Sequence, residues 1–133
     1  MSRNLFIIIC LLVCSVNAEN PPSYENTITG ISKAEQLYNQ AIELRHEGNS
    51  YDAIQVLSKA IVHHATNENF IAKSELLSAE LYIDLNLLSA ADATAKQVLN
   101  IYVNSDAAIE AALLRERIEQ LRLEAERIED EEK

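Results

Sequence analysis

The stretch AIELRHEGNSYDAIQVLSKA, residues 41–60, decides the fold. It predicts a helix, a tight turn at Gly48 and a second helix that returns along the first. Ala41, Gly48, Ala53 and Ala60 follow one another at spacings of seven, five and seven residues. The same three spacings recur 38 residues later, in the set Ala79, Asn86, Ala91 and Val98. This repetition predicts two helical hairpins of similar design.

The residue types at these positions have physical reasons. A small side chain at a helix crossing lets two backbones approach to the short end of the roughly 8–10 Å range of interaxial distances. Gly or Asn just past a helix end adopts the left-handed conformation that closes the helix. We therefore expect Gly48 and Asn86 to end the first helix of each hairpin.

Capping residues predict where the helices of the first hairpin begin. Ser32 and Glu35 form a capping-box pattern that starts a helix over 33–47. Its buried stripe is expected at Leu37, Ala41 and Leu44. Ser50 is expected to cap the second helix, which should end near residue 65.

The second hairpin and the fifth helix follow the same logic. A third helix is expected over about 69–85, and Ser89 should cap a fourth helix that ends near residue 103. The turn Asn104-Ser105-Asp106 then starts a fifth helix with no breaker before Lys133. Ala112 follows Ala79 by 33 residues, but Glu119 stands where a Gly or Asn would end the helix. The third unit therefore begins and does not turn back.

These elements predict an all-α fold with no strand. We expect a short solenoid of about two and a half helical hairpins over residues 32–120, ending in a long C-terminal helix. Residues 121–133 form a charged helical extension of that helix.

Residues 34–60 resemble a tetratricopeptide repeat. The resemblance rests on Ala34-Glu35-Gln36-Leu37-Tyr38, Gly48, Ala53 and Ala60. The unit from Ala79-Glu80-Leu81-Tyr82 to Val98 is a weaker copy, and the fifth helix looks like the first half of a third. Envelope-assembly members of this family in the periplasm have similarly stretched repeats. Tyr102-Val103-Asn104-Ser105 is similar to their linking motif but lacks its proline.

The resemblance implies that a peptide or protein partner binds in a groove lined by the first helix of each hairpin. The implied partner-binding residues are Tyr38, Ile42 and Arg45 in unit one, Leu76, Glu80 and Ile83 in unit two, and Ile109 and Leu113 in unit three. Tyr38 and Ile42 replace residues with which some family members clamp a terminal carboxylate, so an amphipathic segment is the expected ligand. The alternative is that the chain's own last helix covers these apolar residues.

The N-terminus has the pattern of an export signal. Arg3 supplies the positive charge, Leu5 to Val13 the apolar core, and Val16-Asn17-Ala18 a small-residue cleavage site. We expect residues 1–18 to be a signal peptide and residues 19–31 a flexible linker, which places the mature chain in the periplasm or outside the cell. An uncleaved anchor is the alternative, although the apolar run is shorter than the ~20 residues of a spanning helix.

Charge and side-chain chemistry exclude several function classes. The chain has 11 Lys+Arg and 21 Asp+Glu, and only Arg3 lies in residues 1–18, so residues 19–133 carry a net charge of −11. We expect no nucleic-acid binding and no membrane insertion of the mature chain. Both cysteines lie in the signal segment, and His63 and His64 are adjacent, so we expect no metal, no cofactor and no enzymatic activity.

The fifth helix leaves two functions open. A seam of heptad spacing runs along it, at Ala107, Ala111, Leu114, Ile118, Leu121, Ala125 and Ile128. Its second half outruns the fourth helix, so it either docks on a second copy or a partner, or frays in solvent; we favour fraying. The main hypothesis is a non-catalytic protein-binding adaptor or scaffold. The alternative is a structural protein that self-associates through this helix.

Signal cleavage gives the first prediction. Val16 and Ala18 fit the small subsites of a signal peptidase, so the mature chain should begin at Glu19. N-terminal sequencing of the exported protein checks this. Recovery of intact Met1 in the membrane fraction would contradict it.

Overall fold

The structure, a computed structural model, describes residues 32–65 and 67–131, and the predicted signal and linker lie outside these residues. All regular structure in the described part is helical, as expected for the all-α class. The helices are α1 (Lys33–His46), α2 (Ser50–Lys59), α3 (Glu68–Asp84), α4 (Leu88–Ile101) and α5 (Asp106–Glu131). A π-helical turn, Ala60–His64, continues α2. None of these helices is long and apolar enough to span a bilayer.

The turns that end α1 and α3 have the same geometry. Gly48 has φ +81° and Asn86 has φ +58°, which confirms the expected left-handed residue after each helix. After α1, the backbone N–H groups of Gly48 and Asn49 donate to the carbonyls of Arg45 and Leu44. Asn86 and Leu87 make the equivalent bonds to Ile83 and Tyr82 after α3. These paired bonds define the Schellman motif, which satisfies carbonyls that the helix end would leave unpaired.

The tightness of these turns corrects two predicted caps. The N-cap of α2 is Asn49 and that of α4 is Leu87, so Ser50 and Ser89 lie inside their helices. The reason is that Asn49 and Leu87 each end one helix and begin the next. Their carbonyls accept the first hydrogen bonds of α2 and α4, from Ala53 and Ala91, at 3.0 Å.

The other predicted caps are present. Ser32 and Glu35 form the reciprocal capping box of α1. The Ser105 hydroxyl accepts from the backbone N–H of Ala108 at 3.2 Å and so caps the first turn of α5. The helix starts at the two ends of the described solenoid are therefore fixed by side chains, as the sequence indicates.

The small residues of the repeat lie at the helix contacts. All six of them are 0% exposed: Ala41, Ala53 and Ala60 in the first hairpin, and Ala79, Ala91 and Val98 in the second. Ala41 and Ala53 pack in one cluster with Leu57 of α2 and Leu81 of α3. The second hairpin is packed around α3, α4 and α5. Equal burial at equivalent positions shows that the two hairpins are packed alike.

α5 is buried only along its first half. Ala107, Ala111, Leu114 and Ile118 belong to the cluster that includes α3 and α4, as the seam predicts. Residues 121 and 122 are half-buried, and residues 123–131 are exposed. The helix nevertheless continues to Glu131, so the structure has a helix where we favoured a frayed tail.

An ion-pair cluster joins α4 to α5. The Asp92 carboxylate accepts from Arg115 Nε at 2.8 Å and pairs with Lys96 Nζ at 2.9 Å. Its side chain is only 14% exposed. The hydrogen bonds from Arg115 and Lys96 favour the charged form and lower the pKa of Asp92 below its usual 3.8.

Replacing a contact alanine tests the hairpin packing. Ala53→Leu adds three carbons where the native side chain is fully buried, so we expect a loss of ~1–3 kcal/mol in unfolding free energy. Ala93→Leu is the matched control, because Ala93 lies exposed in the middle of α4. Urea denaturation measures both. Equal midpoints for the two variants would contradict the packing described here.

The ion pairs of Asp92 predict a pH-dependent contribution to stability. Because the folded pKa lies below the unfolded one, the contribution is full above pH ~4 and is lost as the pH falls through the folded pKa. We expect Asp92→Asn to lower the unfolding free energy by about 0.5–1 kcal/mol at neutral pH and by less near pH ~3. Denaturation at both pH values checks this. Glu116→Gln, at an exposed carboxylate, is the control, and a pH-independent loss for Asp92→Asn would contradict the assignment.

Candidate functional site

A cleft of about 470 Å³ opens between α1, α3 and α5. α3 runs along its floor, with α1 on one side and α5 on the other. Its lining residues are Tyr38, Asn69, Lys73, Leu76, Leu77, Glu80, Asn104, Ser105, Asp106, Ala107 and Glu110. The volume lies within the roughly 300–1,000 Å³ of typical ligand clefts.

The aromatic end of the cleft is held by a lysine. The Tyr38 and Phe70 rings meet edge to face, with centroids 6.0 Å apart. Lys73 Nζ lies 4.5 Å from the Tyr38 centroid and 5.3 Å from that of Phe70. An ammonium group at this distance is attracted to the negative face of the ring. Tyr38 and Lys73 thus hold each other at the mouth of the cleft.

The α5 wall of the cleft is acidic. Asp106 and Glu110 make no ion pair with any residue in 32–65 or 67–131. Burial raises the pKa of the Tyr38 hydroxyl, and the negative charges of Glu80 and Glu110 raise it further. The cleft is therefore a place where negative potential meets partly buried apolar surface.

Arg45 ties α1 to α3 beside the cleft. Its guanidinium donates to the Asp84 carboxylate at 2.6 Å and also to the Glu80 carboxylate. A fork of this kind fixes both geometry and spacing, since two carboxylates share one planar cation. A neighbouring hollow, which Ile42, Arg45 and Asp84 help to line, lies on the far side of this contact.

The predicted partner-binding residues fall into three groups. Tyr38, Leu76 and Glu80 line the cleft, although Leu76 is nearly buried. Ile42 and Arg45 line the neighbouring hollow instead.

Three predicted residues lie elsewhere. Ile83 is half-buried and packs against the α3–α5 cluster, so it is part of the interior. Ile109 and Leu113 are 68% and 61% exposed and line neither hollow. The structure thus brings five of the eight residues to two adjoining hollows and separates the other three.

Sequence reasoning missed the charged lining residues Lys73, Asp106 and Glu110. Lys73 and Glu80 flank Leu76 along α3, at spacings of three and four residues. Asp106 and Glu110 are four residues apart and therefore share one face of α5. This spacing was a usable signal, but it needed the rotation of α5 about its axis, which only the packing shows.

Among the residues that the structure describes, no three His, Cys, Asp or Glu side chains are grouped closely enough to hold a metal ion. His63 and His64 lie at the end of the π-helical turn, with ring centroids 6.3 Å apart. The chemistry offered by the cleft is recognition: apolar contact, hydrogen bonding and attraction of positive charge.

Comparison of the chain with protein-family models, with curated proteins and with solved structures gives no match. The interpretation of the cleft therefore rests on the residues of this chain and on their geometry.

Proposed function

We propose that this chain is a non-catalytic adaptor that binds a segment of another protein in the cleft between α1, α3 and α5. The observation that carries the proposal is the pairing of an apolar floor with acidic side chains that have no partner among the described residues. A carboxylate with no intramolecular pair adds little to stability and is available to a ligand. In this proposal the protein acts after export, in the periplasm or outside the cell, and tetratricopeptide-like hairpins present the cleft.

The lining residues define the ligand's chemistry. Leu76, Leu77 and Ala107 offer contact to one apolar side chain. Asp106 and Glu110 are placed on the α5 wall to attract a Lys or Arg of the same segment. The ligand is thus a segment with an apolar residue and a basic residue close together, which suits an acidic chain.

The shape of the groove follows from the two hairpins. Each hairpin places its first helix on the same side of the molecule, and the Arg45 fork keeps α1 and α3 in register. A preformed groove of this kind needs little ordering when a ligand binds, which favours affinity.

Self-association through α5 is the second candidate function. The specific observation in its favour is the exposure of Leu123 and Ile128, at 57% and 49%, on a helix that continues to Glu131. Light scattering distinguishes the two functions, because the adaptor is expected to be a monomer whose mass does not depend on concentration.

Site-specific photo-crosslinking tests the cleft. A benzophenone side chain placed at Glu110, in cells that export the protein, should give a discrete adduct with one partner. The same group at Ala93 is the control, because Ala93 is exposed on α4 and does not line the cleft. For the captured partner, we expect the double variant Asp106→Asn/Glu110→Gln to weaken binding by about tenfold, since two charge-assisted contacts are lost.

Two results would contradict the proposal. One is the same adducts from position 110 and from position 93. The other is unchanged affinity in the double variant, which would show that the acidic wall does not touch the partner.

A further inference from the structure

The contacts of α5 repeat those of α3 in a fixed register. On α3, the buried residues that include the contacts to the first hairpin are Phe70, Ser74, Leu77 and Leu81. Exactly equivalent spacing, 37 residues later, gives the buried residues of α5: Ala107, Ala111, Leu114 and Ile118. Both helices therefore pack on the preceding hairpin with the same face.

The register identifies which face of α5 corresponds to the hairpin contact of α3. Ala72, Leu76 and Ala79 of α3 are buried in one cluster with Ala91, Ala95 and Val98 of α4. The residues 37 positions later are Ile109, Leu113 and Glu116. Ile109 and Leu113 are the strongly exposed residues noted above, and within the described residues no helix packs on them. This face of α5 is thus the first side of a hairpin contact whose second side is missing from the described chain.

The face extends along α5 as a helical seam, here called the outer face: Ile109, Leu113, Glu116, Gln120 and Leu123. These residues follow one another at spacings of four, three, four and three, which is the pattern that accepts a second helix. A hollow between α4 and α5 borders the outer face, and Leu99, Ala112 and Glu116 help to line it. It offers a second wall to a helix lying on α5.

We propose that the outer face binds an amphipathic helix of a partner protein whose apolar stripe is flanked by Lys or Arg. The docked helix takes the position relative to α5 that α4 has relative to α3. This surface is separate from the cleft, so the inference goes beyond the proposed function.

Charge argues for a basic partner. The residues beside the outer face are Glu110, Glu119, Glu124 and Glu126 on the acidic side of the count, against Arg117. Flanking charges of opposite sign set partner choice when two helices pair. A helix with lysines at its flanks meets four carboxylates and one guanidinium, and Glu116 in the seam favours a basic group opposite it.

The same charges disfavour a second copy of this chain. An antiparallel pair of α5 helices that matches Leu113 with Leu123 brings Arg117 beside Arg117 of the other copy and Glu119 beside Glu119. A parallel pair brings Glu116 against Glu116. Like charges that face each other across two helices are destabilising, so either arrangement opposes the apolar contact.

A designed peptide tests the proposal. The probe is a fluorescent peptide of about 15 residues, close to the 14 residues of α4, with leucines at helical spacing and lysines at the flanks. One comparison peptide has the same composition with the leucines scrambled, and another has Glu for every Lys. Anisotropy with the full chain should show binding of the first peptide only. Raising the salt concentration from about 0.05 to 0.5 M should weaken it several-fold, because screening shortens the range of the charge attraction.

Leu113→Gln places the binding site. We expect it to weaken peptide binding by about tenfold, since one apolar contact is lost, and to leave thermal stability unchanged because Leu113 is exposed. Val62→Gln is the matched control, at an exposed aliphatic residue of the π-helical turn. Tyr38→Ala, in the cleft, should leave binding of this peptide unchanged, so this test and that of the cleft fail independently.

Three results would overturn the proposal: equal binding of the scrambled peptide, equal loss in the Leu113 and Val62 variants, or no loss in either. A dimer of the chain alone that Leu113→Gln converts to a monomer would also overturn it, in favour of a second copy.

Discussion

The structure depends on the close approach of helices at six positions that have no room for a larger side chain. Ala41 and Ala53 are fully buried where α1 meets α2, and Ala79 and Ala91 where α3 meets α4. Short interaxial distances increase the number of dispersion contacts that each small side chain makes, which compensates for its low apolar area. Because the core is built from alanine and few large residues, its stability depends on the precision of these contacts more than on the total area buried.

That constraint also sets the shape of the binding surface. Two hairpins with the same turn and the same contacts place α1 and α3 side by side, and α5 continues the series. The Arg45 fork then fixes the spacing of α1 and α3, where a looser contact would let the cleft close or widen. The acidic wall comes from α5, the one helix of the three with no returning helix among the described residues.

The sequence predicts the hairpins well because their determinants are local. Gly48 and Asn86 are chosen for a left-handed backbone, and seven-residue spacings of small residues report a helix contact directly. The caps at Ser50 and Ser89 were wrong because a Schellman turn lets one residue end a helix and begin the next, which no single residue type reveals. Ile109 and Leu113 lie outside the cleft because packing sets α5 in a 37-residue register with α3. The small-residue spacing to Ala112 indicated 33.

The acidic residues of α5 make more sense as recognition elements than as stabilising ones. Arg115 and Arg122 are engaged with Asp92 and Glu119, so they do not neutralise Glu110 or Glu116. Repulsion among the remaining carboxylates lowers the stability of an isolated helix, and the exposed leucines add nothing while water covers them. Both costs are removed when a basic, amphipathic helix covers the surface, because the same contact screens the carboxylates and buries the leucines. A helix with this composition is therefore more stable in a complex than alone, which couples the order of its second half to the presence of a partner.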